Sequence, residues 1–292
     1  MTQARRVTGS LRFTDAKAAE SAHAAMPSGT KLDGDSLVFD VTGPVDEAAV
    51  DAIVATAATG SVVIAGGGTE RRLTALGRSF WQKRWDEGQT GWHEGKPNDL
   101  LVKHLDRLGL APKSRVLVPL AGKSVDAAWI AAQGHEVVGI ELSMTAIEAF
   151  FAERGIGASA KTKVGRHDAM EANGVMLVCA DVFDLDVAAL GAFDAIYDRA
   201  ALVALEPSTR GAYVEVCRAL AKVHAPTLLV SFAYDTPGPL GPPWSIDESA
   251  IRALFSKETV ERIDSRPTSM SPRLAAAGVK SVEESAYLIQ RA

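Results

Sequence analysis

The residues whose types and spacing suggest chemistry begin at Val116. Val116-Leu117-Val118-Pro119-Leu120-Ala121-Gly122-Lys123-Ser124 reads as an apolar strand, a turn and the start of a helix. Glycine in such a turn lets a ligand approach the backbone, and the helix N-terminus adds unpaired N–H groups. Gly122-Lys123-Ser124 imitates the end of a P-loop, but the position that needs a second glycine holds Leu117. Nucleoside triphosphate binding is therefore not expected, and the G-x-G-x-x-G fingerprint of dinucleotide sites is absent. Glu141 ends the next strand, nineteen residues past Gly122. An acid at that distance, on the neighbouring strand's carboxyl end, is placed to accept two ribose hydroxyls. Asp181-Val182-Phe183 follows the strand Val175 to Ala180, where an Asp can accept from an exocyclic adenine amine. Asp198-Arg199 follows the strand Phe193 to Tyr197. Arg199 offers a planar fork for an anionic substrate, or else a structural pair with Asp198.

Aromatic residues gather ahead of these motifs. Three of the five tryptophans, Trp81, Trp85 and Trp92, fall in the segment 80–93. Trp81 and Trp85 share one helix face at i,i+4. They are either core or a lid over an adenine or a sulfonium cation. His93 follows with no partner visible in the sequence. Cys179 and Cys217 sit in a strand and a helix and read as small buried hydrophobes, with no disulfide framework.

The elements that must position these residues fall in two parts. Val7 to Phe13 reads as a strand. A helix capped by Thr14 covers Asp15 to Met26 and stops at Pro27. Thr30 to Leu32 and Ser36 to Val41 are strands around the turn Asp33-Gly34. Val45 to Thr59 is helical, and Ser61 to Ala65 closes a βαββαβ order that fits a small α+β, ferredoxin-like unit. Gly66-Gly67-Gly68, Arg71 and Arg72 read as a linker, giving domains 1–68 and 69–292. From residue 97 helices and strands alternate, which predicts a doubly wound α/β sheet. Val260 to Ser265 and Ser281 to Gln290 end it as an antiparallel hairpin with only a loop between them. That ending is Rossmann-like methyltransferase architecture rather than a dehydrogenase's.

Composition excludes several classes. A net charge of −5 argues against a nucleic-acid-binding face. Apolar runs are broken before about 18 residues, so no membrane span is expected. No secretory signal is read at Met1 to Arg12, and two thiols suggest a reducing cytoplasm. No metal cluster is expected, and oligomeric state is not encoded in any motif.

Taken in order, five stretches resemble the thiopurine S-methyltransferase family from about residue 80 to 290. They are Trp81-x-x-x-Trp85-x-x-Gly88-x-Thr90-Gly91-Trp92-His93, Pro119-Leu120-Ala121-Gly122-Lys123, Gly134-His135-x-Val137-Val138-Gly139-Ile140-Glu141-Leu142-Ser143, Asp198-Arg199-Ala200-Ala201-Leu202-Val203-Ala204-Leu205 and Gly241-Pro242-Pro243-Trp244. The resemblance implies S-adenosyl-L-methionine as cofactor and a small soft nucleophile as acceptor: a thiol, or a selenium or tellurium species. It implies that Trp81, Trp85, Trp92, Leu120, Gly122, Glu141, Asp181, Val182 and Phe183 line the cofactor and that Arg199 faces the acceptor. Alternatives are methylation of an amine, an imidazole or a halide, or cofactor binding without turnover. The family commonly has Cys at the position of Ala121 and often Phe at that of Trp92. Its short members have no counterpart of residues 1–79.

Overall fold

The computed structural model describes residues 5–26, 29–54, 56–57, 59–66, 69–74, 78–156, 160–235 and 240–291. The chain forms two compact units: Met1–Glu87 with Glu206–Thr209, and Gly88–Leu205 with Arg210–Ala292.

The first unit contains β1 (Arg5–Arg12), α1 (Ala16–Ala24), β2 (Thr30–Asp33), β3 (Ser36–Gly43), α2 (Glu47–Val54), β4 (Thr59–Gly66), β5 (Thr69–Thr74) and α3 (Arg78–Asp86). Its sheet is antiparallel, ordered β2-β3-β1-β4-β5. Period-two alternation makes the core. Leu37, Phe39 and Val41 of β3 are buried, while the alternating Val38, Asp40 and Thr42 are exposed. The inward residues join Val7, Leu11, Val50, Ile53, Val62 and Ile64. Asp15, not Thr14, caps α1 by accepting from the Ala18 N–H at 2.9 Å. The segment read as a linker contains β5, an edge strand whose polar sequence, Thr-Glu-Arg-Arg, hides it. Pro27, Gly67 and Gly68 lie outside the described residues.

Gly9 and Gly60, on the paired strands β1 and β4, both depend on the absence of a side chain. Gly60 has φ +110°, and a Cβ there would sit 2.3 Å from the Ser10 carbonyl oxygen. Its N–H donates to a Glu206 carboxylate oxygen at 3.2 Å. Gly60→Ala combines backbone strain with a backbone clash, together worth about 3 kcal/mol. Hydrogen exchange should show amide protection lost in β1 and β4 of that variant. Unchanged protection would contradict this register.

The second unit contains α4 (Asp99–His104), β6 (Arg115–Val118), α5 (Val125–Ala132), β7 (Glu136–Glu141), α6 (Met144–Glu153), β8 (Ala160–Val164), β9 (His167–Ala172) and β10 (Val175–Cys179). α7 (Val187–Leu190), β11 (Ala195–Arg199), α8 (Arg210–Leu220), β12 (Thr227–Ala233), α9 (Glu248–Leu254), β13 (Glu258–Pro267), α10 (Pro272–Ala276) and β14 (Glu283–Arg291) complete it. A nine-stranded mixed sheet runs β13-β14-β12-β11-β6-β7-β10-β9-β8. Five central strands are parallel, and β14 returns antiparallel between β12 and β13. This is a Rossmann-like α/β fold.

Strands buried on both faces read as unbroken apolar runs. Val116 and Val118 of β6 face one core cluster, and Leu117 between them faces the other. Ser143 caps α6, accepting from the Ala146 N–H at 3.3 Å. Three features differ from the sequence reading. β8 and β9 add an antiparallel edge over 160–172. α5 begins at Val125 behind the cap Ser124 rather than at Lys123. The last two strands are joined through α10 rather than by a loop alone. Among the described residues no helix is long and apolar enough to cross a membrane.

Candidate functional site

The parallel strands β6, β7 and β10 step one way across the sheet, and β11 and β12 step the other. The order therefore reverses between β6 and β11. Ligands of open α/β sheets bind outside the carboxyl ends of the strands at such a reversal. Backbone strain marks the same place. Leu120, just past β6, has φ 46°, and Ala200, just past β11, has φ 63°. Left-handed non-glycine residues cost about 1–3 kcal/mol each and concentrate where a loop is shaped for function.

Leu120 and Gly122, at φ 53°, turn the chain twice within three residues. The turn is anchored on β7, where the Ala121 N–H donates to the Ile140 carbonyl oxygen at 2.8 Å. Gly139 makes room for it, since a Cβ there would lie 2.8 Å from the Ala121 methyl. Glu141 completes the anchor. Its carboxylate accepts from the Gly122 N–H and the Ser143 N–H, both at 2.8 Å. Burial pushes its pKa up to about 6, against those backbone hydrogen bonds. A carboxylate has about four lone-pair positions. The Gly122 and Ser143 donors, with the Leu142 backbone also contributing, fill part of that capacity and leave the rest open to ribose hydroxyls. These residues thus fit a ribosyl ligand, and Glu141 also does a structural task that its spacing did not show.

The remaining predicted residues are placed as follows. Asp181 lies beyond β10 and accepts from the Phe183 N–H at 2.9 Å, closing its own turn. Val182 is buried, and Phe183 packs against the same core cluster. Trp92 is half-buried in the turn segment before α4. Trp81 and Trp85 lie on α3, in the first unit; Trp81 meets Phe80 edge-on with ring centroids 5.1 Å apart. The two cysteines are free thiols, and burial raises the Cys217 pKa.

Asp198 and Arg199 do not pair with each other. Neighbours on a strand point to opposite faces. Asp198 is buried, accepts from the Tyr213 hydroxyl at 2.6 Å and the Leu202 N–H at 3.1 Å, and is pushed by burial to about 6. Arg199 instead reaches Glu94, with Nη2 2.5 Å from the carboxylate. Burial raises the Glu94 pKa, and Arg199 opposes that rise.

A polar network on this face escaped the sequence reading. Asp126, in the first turn of α5, accepts from the Asn98 N–H at 2.7 Å and the Tyr197 hydroxyl at 2.8 Å. Asn98 donates through Nδ2 to Glu284 at 3.0 Å, and Arg266 holds the other Glu284 oxygen at 2.6 Å. Asp126 in a first helical turn reads simply as a dipole partner. Its buried environment comes from Tyr197, two positions before Arg199 on β11 and on the same strand face. His93, beside Glu94, has a lowered pKa, first from burial and then from Lys123. Among the described residues no cluster of His, Cys, Asp or Glu could hold a metal ion. This arrangement can bind an adenosyl-type ligand at the Gly122 turn and present one neutralised guanidinium across the sheet reversal.

The family model described as thiopurine S-methyltransferase matches residues 76–292. A thiopurine S-methyltransferase of Pseudomonas entomophila (strain L48) is 41% identical over 214 residues, covering 73% of this chain and 99% of that protein. One from Xanthomonas campestris pv. campestris (strain 8004) is 39% identical over 215 residues, covering 73% and 98%. Among solved structures, a Burkholderia thailandensis 1,6-didemethyltoxoflavin-N1-methyltransferase with bound S-adenosylhomocysteine is similar with a TM-score of 0.51 at 22% identity, covering 73% of this chain and 86% of that one. Magnesium protoporphyrin IX methyltransferase from Synechocystis PCC 6803 gives a TM-score of 0.51 at 16% identity, covering 74% and 97%. At those identities the two structures establish the fold alone.

Proposed function

Because the chain belongs to the thiopurine S-methyltransferase family, and is an S-adenosylmethionine-dependent methyltransferase, we propose that its acceptor is a small soft nucleophile, a thiol first and selenium or tellurium species next. The observation that carries this reading is the sheet reversal. There Glu141 and Arg199 stand at the carboxyl ends of β7 and β11, on either side of β6, whose following turn holds Gly122.

S-adenosylmethionine supplies a methyl group already activated on sulfonium. The chain's task is to hold the nucleophile in line and keep water out. Glu141 accepts from the ribose hydroxyls and, through the Gly122 N–H, fixes the turn that approaches the cofactor. Asp181, Val182 and Phe183 border the adenine, and Leu120 and Trp92 bound the same pocket. The assignment of Trp81 and Trp85 to the cofactor rests on the family resemblance. Arg199 faces the acceptor and favours its ionised form. Tyr197 and Asp126 brace β11 beneath it.

The first unit reads as a ferredoxin-like α+β domain with one added edge strand, followed by the methyltransferase domain. Free thiols support a cytoplasmic location.

A competition assay separates acceptor classes. Methyl-labelled S-adenosylmethionine is offered an equimolar mixture of a thiol, a selenol, a primary amine and an imidazole. Label should collect on sulfur and selenium. Label mainly on nitrogen would replace this reading with an N-methyltransferase.

A further inference from the structure

Two residues that bond to carbonyls of the loop past β11 carry more hydrogen-bond donors than they use. Arg210, the first residue of α8, is 7% exposed. Its Nε donates to the Leu205 carbonyl oxygen at 3.1 Å, while its Nη2 is buried with no hydrogen-bond partner. No carboxylate among the described residues forms an ion pair with it. Trp244 is the second case. Its backbone N–H donates to the Val203 carbonyl oxygen at 2.7 Å, and its indole Nε1 is buried without a partner. Its ring lies against Gly241, where a Cβ would fall 2.2 Å from a ring carbon.

The Arg210 side chain and the Trp244 backbone are therefore tied to one short turn, through carbonyls two residues apart. That turn follows Arg199, whose Nε is also buried and unpartnered. All three orphan atoms are donors. A buried donor without a partner costs free energy comparable to its lost hydrogen bonds. A buried guanidinium without an anion adds a charge cost. Burial accordingly depresses the Arg210 pKa to about 10. A ligand that brings acceptor oxygens and one negative charge satisfies both costs.

We infer that Arg210 Nη2 and Trp244 Nε1 form a subsite on the acceptor side that takes a carboxylate carried by the methyl acceptor. This rests on the thiol reading above and narrows it: the acceptor is a mercapto acid rather than a neutral thiol. Arg199 stands nearer the strand end, where the sulfur is held. Arg210 and Trp244 grip the far end of the same molecule.

The test uses a pair that differs only in charge, 3-mercaptopropionate and 3-mercaptopropionamide, as methyl acceptors for the full chain. The ratio of their kcat/KM values should favour the acid. That ratio should fall about tenfold or more in Arg210→Gln and a few-fold in Trp244→Phe, mainly through KM of the acid. Butyrate and butyramide, which lack the thiol, measure the subsite by direct binding in the presence of S-adenosylhomocysteine. Butyrate should bind more tightly, and Arg210→Gln should remove the difference. If neither thiol is methylated but butyrate binds in this way, the thiol reading fails and the carboxylate subsite stands. Equal losses for acid and amide in the variants, or equal binding of butyrate and butyramide to the unaltered chain, would overturn the proposal. Should Arg210→Gln fail to fold, Trp244→Phe decides by the same ratio.

Discussion

Glu141→Ala is expected to raise the dissociation constant for S-adenosylhomocysteine about 100-fold. Two ribose hydroxyls lose a charged acceptor, each such bond being worth about 1.5–3 kcal/mol. The Gly122 and Ser143 N–H groups lose theirs as well. For the unaltered chain, ligand at 100 times its dissociation constant should stabilise the fold by about 2.7 kcal/mol. The same concentration should leave the variant nearly unstabilised in a denaturant titration.

The pH dependence follows from the position of the carboxyl. Its pKa in the free protein is about 6. Ribose donors favour the ionised form, so the bound pKa is lower. Affinity is then full above about pH 6 and weakens as pH falls through that value, by up to tenfold per pH unit. Glu141→Gln should bind weakly and without this dependence. The unliganded protein shows the opposite trend. A folded pKa above the unfolded value of 4.5 means that this group's contribution falls as pH rises from about 4.5 to about 6. Unchanged affinity in Glu141→Ala would restrict Glu141 to anchoring its two loops.

The second large effect concerns Arg199 and its counter-ion. The sequence reading had Arg199 act alone or with Asp198. The structure shows Glu94 at 2.5 Å, so much of the guanidinium's charge is neutralised. An opposite charge within about 4–6 Å moves a pKa by one or more pH units. Arg199→Ala should therefore shift the rise of the thiol methylation rate to higher pH by about one unit and lower turnover at neutral pH. Glu94→Gln should shift the rise the other way, because the cation is released. Arg199→Lys should recover part of the loss, since a point charge cannot reproduce the planar fork. An unchanged pH midpoint in Arg199→Ala, with a large loss of S-adenosylhomocysteine affinity, would make Arg199 a clamp on the cofactor's carboxylate.

What the sequence revealed of the site has a geometric reason. A βαβ unit has nearly fixed length, so the interval from Gly122 to Glu141 reports spatial adjacency. The strand that opens at Val116, the strand that ends at Glu141 and the strand over 175–180 are legible for the same reason: their signals are local. Glu94 and Arg199 meet across more than a hundred residues, and nothing local marks that meeting. The separate fates of Asp198 and Arg199 follow from strand alternation, which puts Asp198 beside Tyr213 and Arg199 beside Glu94. β8 was missed because Ala160–Val164 alternates with lysines, as a solvated edge strand does. β5 was missed because its residues resemble a linker. The donors of Arg210 and Trp244 stood outside the site reading because only their burial shows that they lack partners.

The account's central claim is that this chain orients and electrostatically favours an already ionised soft nucleophile, without a general base. The most direct measurement is a pair of pH–rate profiles with saturating S-adenosylmethionine, for a thiol and for the selenol of identical skeleton. The selenol is ionised across neutral pH, so its rate should be flat there. The thiol's rate should climb and level off below the free thiol's own pKa. A shared rise with one midpoint for both acceptors would place a titrating base of the protein, such as His93, in the methyl-transfer step and would contradict the claim.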